Sequence, residues 1–112
     1  MSTSHKILLN DIIDDINHID EDISGEGFRD FVTNRKAIIQ IVNKLIEIQG
    51  KVQNLPSDFD FSNSIWNEIF EIDKSVVNAD SEVDGEAVWK CIKKTLPNFR
   101  KELISQLKTK FN

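Results

Sequence analysis

Acidic side chains crowd one short stretch of the chain, around a turn that is closed by glycine. They are Asp73, Asp80, Glu82, Asp84 and Glu86. Carboxylates that converge in a partly buried cleft can move protons or bind Mg²⁺. Like charges repel, however, and turns are usually solvated, so an ordinary surface turn is the simpler interpretation. A metal-dependent enzymatic site built on Asp73, Asp80 and Asp84 is the alternative.

A second acidic group includes a histidine and has the spacing of a helix. It consists of Asp11, Asp14, Asp15 and His18. Asp14 and His18 are about one helical turn apart and share a face, and both residue types bind divalent metals. Four side chains on one exposed helix do not close around an ion. We therefore expect a solvated acidic surface here, and predict no metal ligands.

The two tryptophans, Trp66 and Trp89, have the flat rings on which single-stranded nucleic acids stack. Each follows an aliphatic residue at the edge of an apolar stripe, and acids surround both. We therefore expect them to pack in the core or at an interface between subunits.

Cys91 is the only cysteine, so the chain forms no internal disulfide, which favours a reducing compartment. It lies in a helical pattern beside Ile92, far along the chain from His5 and His18. Without a nearby base it is predicted to be a packed thiol and not a nucleophile.

Composition limits the classes of partner. The chain has 112 residues, enough for one domain covering residues 1–112, with 39% hydrophobic and 29% charged residues. A net charge of −5 disfavours non-specific binding to nucleic acid or anionic lipid, which requires a basic surface. No apolar run approaches the roughly 20 residues of a membrane span. We expect a cytoplasmic protein that does not contact membranes.

Apolar periodicity predicts helices throughout. The first runs from about His5 to Ile23, with an apolar stripe at Leu8, Ile12, Ile16, Ile19 and Ile23, and Gly25 ends it. The second covers 28–55, with an apolar pattern that begins at Phe28 and a bend near Thr33 and Asn34.

The second half of the chain continues the pattern. A third helix of about fifteen residues begins at Ile65 with Ser62 or Asn63 as its cap, and two Phe residues in 59–62 seal the bundle end before it. A fourth is capped by Asp84 and is kinked near Pro97. The predicted fold is all-α, an antiparallel up-and-down bundle of four to five helices.

The turn and the helix after it carry a recognisable frame, with Val83-Asp84 followed by Val88-Trp89. This frame resembles the HepT-like branch of the HEPN family. In that branch a helix ends in Arg, four residues, His, one residue and Tyr, followed by a Val-Asp turn and a helix that opens with Val-Trp. Aligned without gaps, the Arg falls on Asp73, the His on Asn78 and the Tyr on Asp80.

The resemblance covers nearly the whole chain. Further matching segments are Ile12 to Ile23, Gly27-Phe28 to Phe31, Ala37-Val42-Glu47, Leu55-Pro56, Ile65-Trp66 and Leu96-Pro97. Where relatives often have Gly-Glu-Ala, this chain has Ile46-Glu47-Ile48, so only the acid is kept. Glu47 and Trp89 are the candidates for a surface that binds a second subunit or a partner.

The family resemblance implies a HEPN-like bundle, a homodimer with a composite ribonuclease site, and a minimal nucleotidyltransferase partner that acts as antitoxin. A guanidinium holds phosphate and an imidazole moves a proton near neutral pH. Asp73 would repel phosphate, Asn78 cannot shuttle a proton, and Asp80 lacks the hydroxyl that the partner modifies. No motif residue is intact, and no cofactor is expected.

Our leading hypothesis is therefore a protein of toxin–antitoxin type whose ribonuclease motif has been lost. It would bind a nucleotidyltransferase or an intact homologue, and RNA only if activity remained. One alternative is an active metal-dependent ribonuclease or nucleotide-handling enzyme that uses Asp73, Asp80 and Asp84. Another is a structural dimerisation module.

Overall fold

The first helix forms one wall of the molecule. The computed structural model describes residues 3–56, 59–77 and 82–111, and α1 spans Thr3–Asp22. Its inward stripe is Leu9, Ile12, Ile16, Ile19 and Ile23, all buried. Leu8, the predicted first residue of the stripe, is partly buried and packs against this core, and the prediction left out Leu9, which is fully buried. Gly25, at φ 85°, ends the helix as predicted.

The predicted bend in the second helix is confirmed. A short α2, Phe28–Val32, precedes the long α3, Arg35–Gln53, and the Asn34 side chain caps α3 by accepting the Ala37 amide at 3.1 Å. Phe31 is buried, but Phe28 is 43% exposed, contrary to the predicted pattern. A helix of five residues has room to turn only one aromatic ring into the core.

The third predicted helix is broken in two. Helix α4 is Ile65–Phe70 and α5 is Ile72–Ser75, with Glu71 between them at φ −104° and ψ 11°. The N-cap position is Ser64, whose side chain makes no capping bond, and of the two predicted residues Asn63 accepts the Ile65 amide at 3.0 Å. Before α4, the Phe59 side chain is buried and Phe61 packs edge-on against Trp66, as predicted for the bundle end.

The last helical run is continuous from Gly85 to the end of the described chain. It consists of α6, Gly85–Lys90, a π-helical segment, Cys91–Thr95, and α7, Leu96–Phe111. Pro97 has no amide hydrogen, and its ring would collide with the carbonyl four residues earlier in a regular α-helix. The widened turn lies where that collision would occur, so it takes the place of the kink.

The helices pack as an all-α bundle, as predicted. Lys51 binds Asp15 and Lys44 binds Asp22, so α3 runs antiparallel to α1. Arg100 on α7 donates to Asn17 on the other flank of α1 at 2.7 Å. Apart from an isolated bridge between Val77 and Val83, the described residues contain no β-structure. Nor does any helix in the described ranges combine the length and apolar character of a membrane span.

Candidate functional site

Of the three predicted motif positions, Asp73 is the one that the described residues include. It lies on α5, exposed, and its Oδ1 accepts a hydrogen bond of 3.0 Å from Nε2 of Gln49 on α3. The same nitrogen donates to the backbone carbonyl of Phe70 at 2.8 Å. Gln49 is only 6% exposed, so a buried neutral amide orients an exposed carboxylate.

The break between α4 and α5 explains why Gln49 is needed. The backbone amides of Lys74 and Ser75 both donate to the backbone carbonyl of Glu71, at 3.0 Å each. The Phe70 carbonyl accepts the Gln49 side chain, and a polar group near the core is costly without such a partner. Sequence reasoning missed Gln49. The signal was a polar residue inside the apolar run of α3, between Ile48 and Val52.

The environment of Asp73 keeps it charged. The hydrogen bond from Gln49 is the main cause that lowers the pKa of Asp73 below its ordinary value, and backbone amides and the charge of Lys74 contribute further. A hydrogen bond to the ionised form of a carboxyl favours that form. The position therefore carries a negative charge at neutral pH.

Val83, Asp84 and Gly85 each have a structural role in the frame around the motif. Val83 forms the bridge to Val77, and the Asp84 amide donates to the Val76 carbonyl at 2.8 Å. The Asp84 side chain caps α6 by accepting the amides of Glu86 and Ala87, at 3.1 and 3.2 Å. The predicted cap is confirmed.

Gly85 is needed where α6 approaches its neighbours. A Cβ built at Gly85 would lie 3.0 Å from Cδ1 of Ile38 and 3.6 Å from the Val32 backbone. The start of α6 is therefore pressed against α2 and α3. Val83 to Gly85, the described part of the frame next to α6, are thus packed against the end of α5 and against α2 and α3.

The other two motif positions, Asn78 and Asp80, lie outside the described residues, so their predicted roles stay predictions. Among the acids of the enzymatic alternative, Asp73 accepts from Gln49 and Asp84 caps α6. No group of three or more His, Cys, Asp or Glu side chains within the described ranges is arranged to hold a metal ion.

The acidic face of α1 meets lysines of α3. Asp15 binds Lys51 at 2.6 Å and Asp22 binds Lys44. His18 and Glu47 line a shallow concavity of about 220 Å³ beside these pairs. Glu47, a predicted binding residue, is exposed on α3.

Trp89, the other predicted binding residue, is half-buried. Its ring centroid lies 5.3 Å from that of Phe31 and 6.0 Å from that of Phe28, and the Lys93 ammonium lies 4.8 Å above it. Stacking of a base on this ring would have to displace Lys93. A binding role for Glu47 and Trp89 stays a prediction.

Trp66 and Cys91 are packed, as predicted. The Trp66 side chain is fully buried against Phe99, and its Nε1 donates to Oε2 of Glu102 at 2.8 Å. Burial, with a smaller contribution from the charge of Glu68, raises the pKa of the Cys91 thiol to about 12. The thiol is therefore protonated at neutral pH, which makes it a poor nucleophile.

Two curated proteins are similar to this chain over most of its length. One, from Thermococcus cleftensis, is named Probable ribonuclease HepT; it is 28% identical over 102 residues, which cover 89% of this chain and 93% of that protein. The other, from Methanocaldococcus jannaschii, has a name that combines gamma-glutamylcyclotransferase with RNase; it is 30% identical over 102 residues. The match covers 88% of this chain but only 46% of that second protein. No family model matches the chain, and no solved structure matches it significantly.

The all-α fold and the similarity to Probable ribonuclease HepT over most of both proteins indicate a ribonuclease-related helical protein. The similarity to Probable ribonuclease HepT, at 28% identity over 93% of that protein, supports the HepT-like branch of the HEPN family. The resemblance inferred from Val83-Asp84 and Val88-Trp89 is thereby confirmed. The loss of the motif and the nature of the partner stay predictions.

Proposed function

We propose that this chain is a HepT-like protein of toxin–antitoxin type that has lost ribonuclease activity. It acts in the cytoplasm by binding another protein, either a nucleotidyltransferase partner or an intact homologue whose activity it tempers. One observation carries the proposal. Asp73, the residue aligned with the family's arginine, has an ionised carboxylate that accepts a hydrogen bond from the buried Gln49 amide.

The physical reason is the sign of the charge. RNA cleavage needs stabilisation of negative charge on the phosphate, which cations and preorganised donors supply. The Asp73 carboxylate would raise the energy of that charge. The side chain is fixed by a buried partner, so it does not simply turn away to leave a neutral surface. The described residues that follow the motif, Val83 to Gly85, are well packed, which supports retention of a binding role.

Cleavage assays test the loss of activity. Purified protein is incubated with total RNA and with tRNA, without divalent metal and with Mg²⁺ or Mn²⁺, beside a relative that has the intact motif. We expect no cleavage by the wild-type chain under any of these conditions. Robust cleavage without metal would overturn the proposal, and cleavage only with metal would favour the enzyme based on Asp73, Asp80 and Asp84.

A gain-of-function variant sharpens this test. The triple substitution Asp73→Arg, Asn78→His and Asp80→Tyr rebuilds the family motif, and the oxygen of the Gln49 amide can then accept a bond from the new guanidinium. We expect metal-independent cleavage to rise well above the wild-type level. Asp73→Arg alone is the matched control, because it changes the charge without supplying a proton shuttle.

Partner binding is tested separately. The tagged chain is co-expressed with a minimal nucleotidyltransferase, and in a second experiment with an intact homologue. Recovery of either protein in a stoichiometric complex supports the proposed role. Recovery of neither would leave the structural dimerisation module as the better account.

A further inference from the structure

A cleft lies between the broken third helix and the start of the last helical run. Its volume is about 510 Å³, within the range of small-molecule sites in proteins. Helices α5 and α6 both pack against α3, and the cleft opens between them. Helix α4 and the π-helical segment, which pack against each other, border the rest of it.

Two irregular turns of the helices border this cleft. Glu71, where α4 breaks from α5, lies on one wall. Cys91 and Thr95, the two ends of the π-helical segment, lie on the other. Pro97 accounts for the widened turn but not for a cavity beside it. Such turns are rare and occur frequently at functional sites. Two interruptions that border one cavity single it out among the surfaces of the molecule.

The least exposed residues of the cleft give it an apolar floor. The Ile72 side chain is 1% exposed and Cys91 is 5% exposed, and Ala87 adds a methyl group. The Cys91 thiol is protonated at neutral pH, so it presents no charge to a ligand. The cleft can therefore bury an apolar group while polar side chains at its rim fix the orientation.

Opposite charges stand on different walls at the rim. Glu68 is exposed on α4, and Lys90 is exposed on α6. Within the described ranges neither side chain has a hydrogen bond or an ion pair, and the two do not pair with each other. A third charge, Glu71, is neutralised by Lys74 at 3.2 Å. The cleft thus offers one unpaired anion and one unpaired cation beside an apolar surface.

We propose that this cleft binds a small zwitterion with an apolar body, such as a dipeptide of apolar residues with free ends. The ammonium group of the ligand binds Glu68, its carboxylate binds Lys90, and its apolar side chains lie on the floor. Asn67 and Thr95, which also line the cleft, supply donors for the peptide group. Asp73 does not line the cleft, so the site does not depend on the loss of nuclease activity.

Three related probes test the charges of the ligand. Leucyl-leucine has both free ends, its N-acetyl form lacks the ammonium group, and its amide lacks the carboxylate. We expect calorimetric titration of the full chain to show binding of leucyl-leucine, and each capped form to bind about three- to tenfold more weakly. No binding of leucyl-leucine, or equal affinity for either capped form, would overturn the proposal.

Matched variants assign each end of the ligand to its residue. Glu68→Gln should remove the preference for leucyl-leucine over its N-acetyl form and keep the preference over its amide, and Lys90→Gln should do the reverse. Glu86→Gln and Lys94→Gln are the controls, because these exposed residues carry the same charges but do not line the cleft. Both controls should retain both preferences. Unchanged preferences in Glu68→Gln and Lys90→Gln would contradict the assignment.

Methyl NMR locates the bound probe. The methyl signals of Ile72 and Ala87 should shift on addition of leucyl-leucine, whereas those of Ile7 and Ile39, exposed on α1 and α3, should not. Ala87→Leu places a larger side chain in the cleft and should abolish binding while circular dichroism shows a folded chain. Shifts that spare Ile72 and Ala87, or binding that survives Ala87→Leu unchanged, would place the ligand elsewhere and overturn the proposal.

Discussion

Helix α3 holds its neighbours on two sides by different chemistry. Towards α1, Lys51 and Lys44 reach out to Asp15 and Asp22, and the lysine side chains are 37% and 41% exposed. Towards α4 and α5, the buried Gln49 amide donates to a backbone carbonyl and to Asp73. The first side consists of charge pairs near water, and the second of a neutral donor inside the protein.

The difference has an energetic and a functional side. Exposed ion pairs contribute little to stability, whereas removing a buried donor leaves its partners unpaired in a poorly solvated place. A lysine also neutralises the acid that it binds, but an amide does not. The negative charges of Asp15 and Asp22 are therefore neutralised by their lysine partners, while Asp73 keeps its negative charge.

The largest effect is expected from Gln49→Leu. The substitution preserves burial but removes the donor to the Phe70 carbonyl, and we expect the free energy of unfolding to fall by about 1–3 kcal/mol. Urea unfolding followed by circular dichroism measures it. Gln53→Leu, at an exposed site on the same helix, should change stability by less than about 0.5 kcal/mol. Equal effects of the two substitutions would contradict the role of the buried amide.

The pH dependence of Asp73 gives a second, smaller effect. Because its pKa is lowered in the folded state, its contribution to stability is present above the unfolded value of about 3.9 and is lost as pH falls through the folded value. In Gln49→Leu the Asp73 pKa should move up towards the ordinary range. NMR titration of the side-chain carboxyl carbons tests this, and an unchanged value would show that Gln49 is not the cause.

The smallest effect is expected on the α1 side. Lys51→Met should reduce the free energy of unfolding by less than about 1 kcal/mol, and added salt should shrink the loss further. The hydrogen bond from Lys51 to Asp15 raises the lysine pKa, so this contribution is present below the ordinary lysine value and is lost as pH rises through the folded one.

Denaturant titrations of wild type and Lys51→Met at low and high salt provide the measurement. Lys6→Met, on the exposed side of α1, is the control. A loss larger than that of Gln49→Leu would reverse the comparison between the two sides of α3.

Regular periodicity made much of the fold predictable. Local spacing and side-chain chemistry predict the stripe of α1, the bend before α3 and the Asp84 cap. The observed positions of these features lie within about one helical turn of the predicted ones. The break at Glu71 was not predictable in this way, because Gln49, which donates to the Phe70 carbonyl beside the break, lies more than twenty residues away in the chain. Local sequence patterns do not predict a contact between residues so far apart in the chain.

The candidate site, like the fold, was predictable from the sequence only in part. Aligning Val83-Asp84 with the family frame was enough to select Asp73 from the sequence. The hydrogen bond from the buried Gln49 amide to the Asp73 carboxylate depends on how α5 packs against α3. The spacing of residues along the chain does not predict that packing. The cap at Asp84 was foreseen because its partners are only two and three residues away.

The π-helical turn at Cys91–Thr95 makes the length of the last helical run important. A wide turn keeps Val88 and Ile92 on the same side as Leu96 and Phe99, all of which are buried. Deleting one residue between Cys91 and Thr95 would tighten it to an ordinary α-turn and rotate everything before it by about 100°. Trp89 would then swing away from α2, so this stretch should tolerate exchanges at its surface lysines far better than any change in its number of residues.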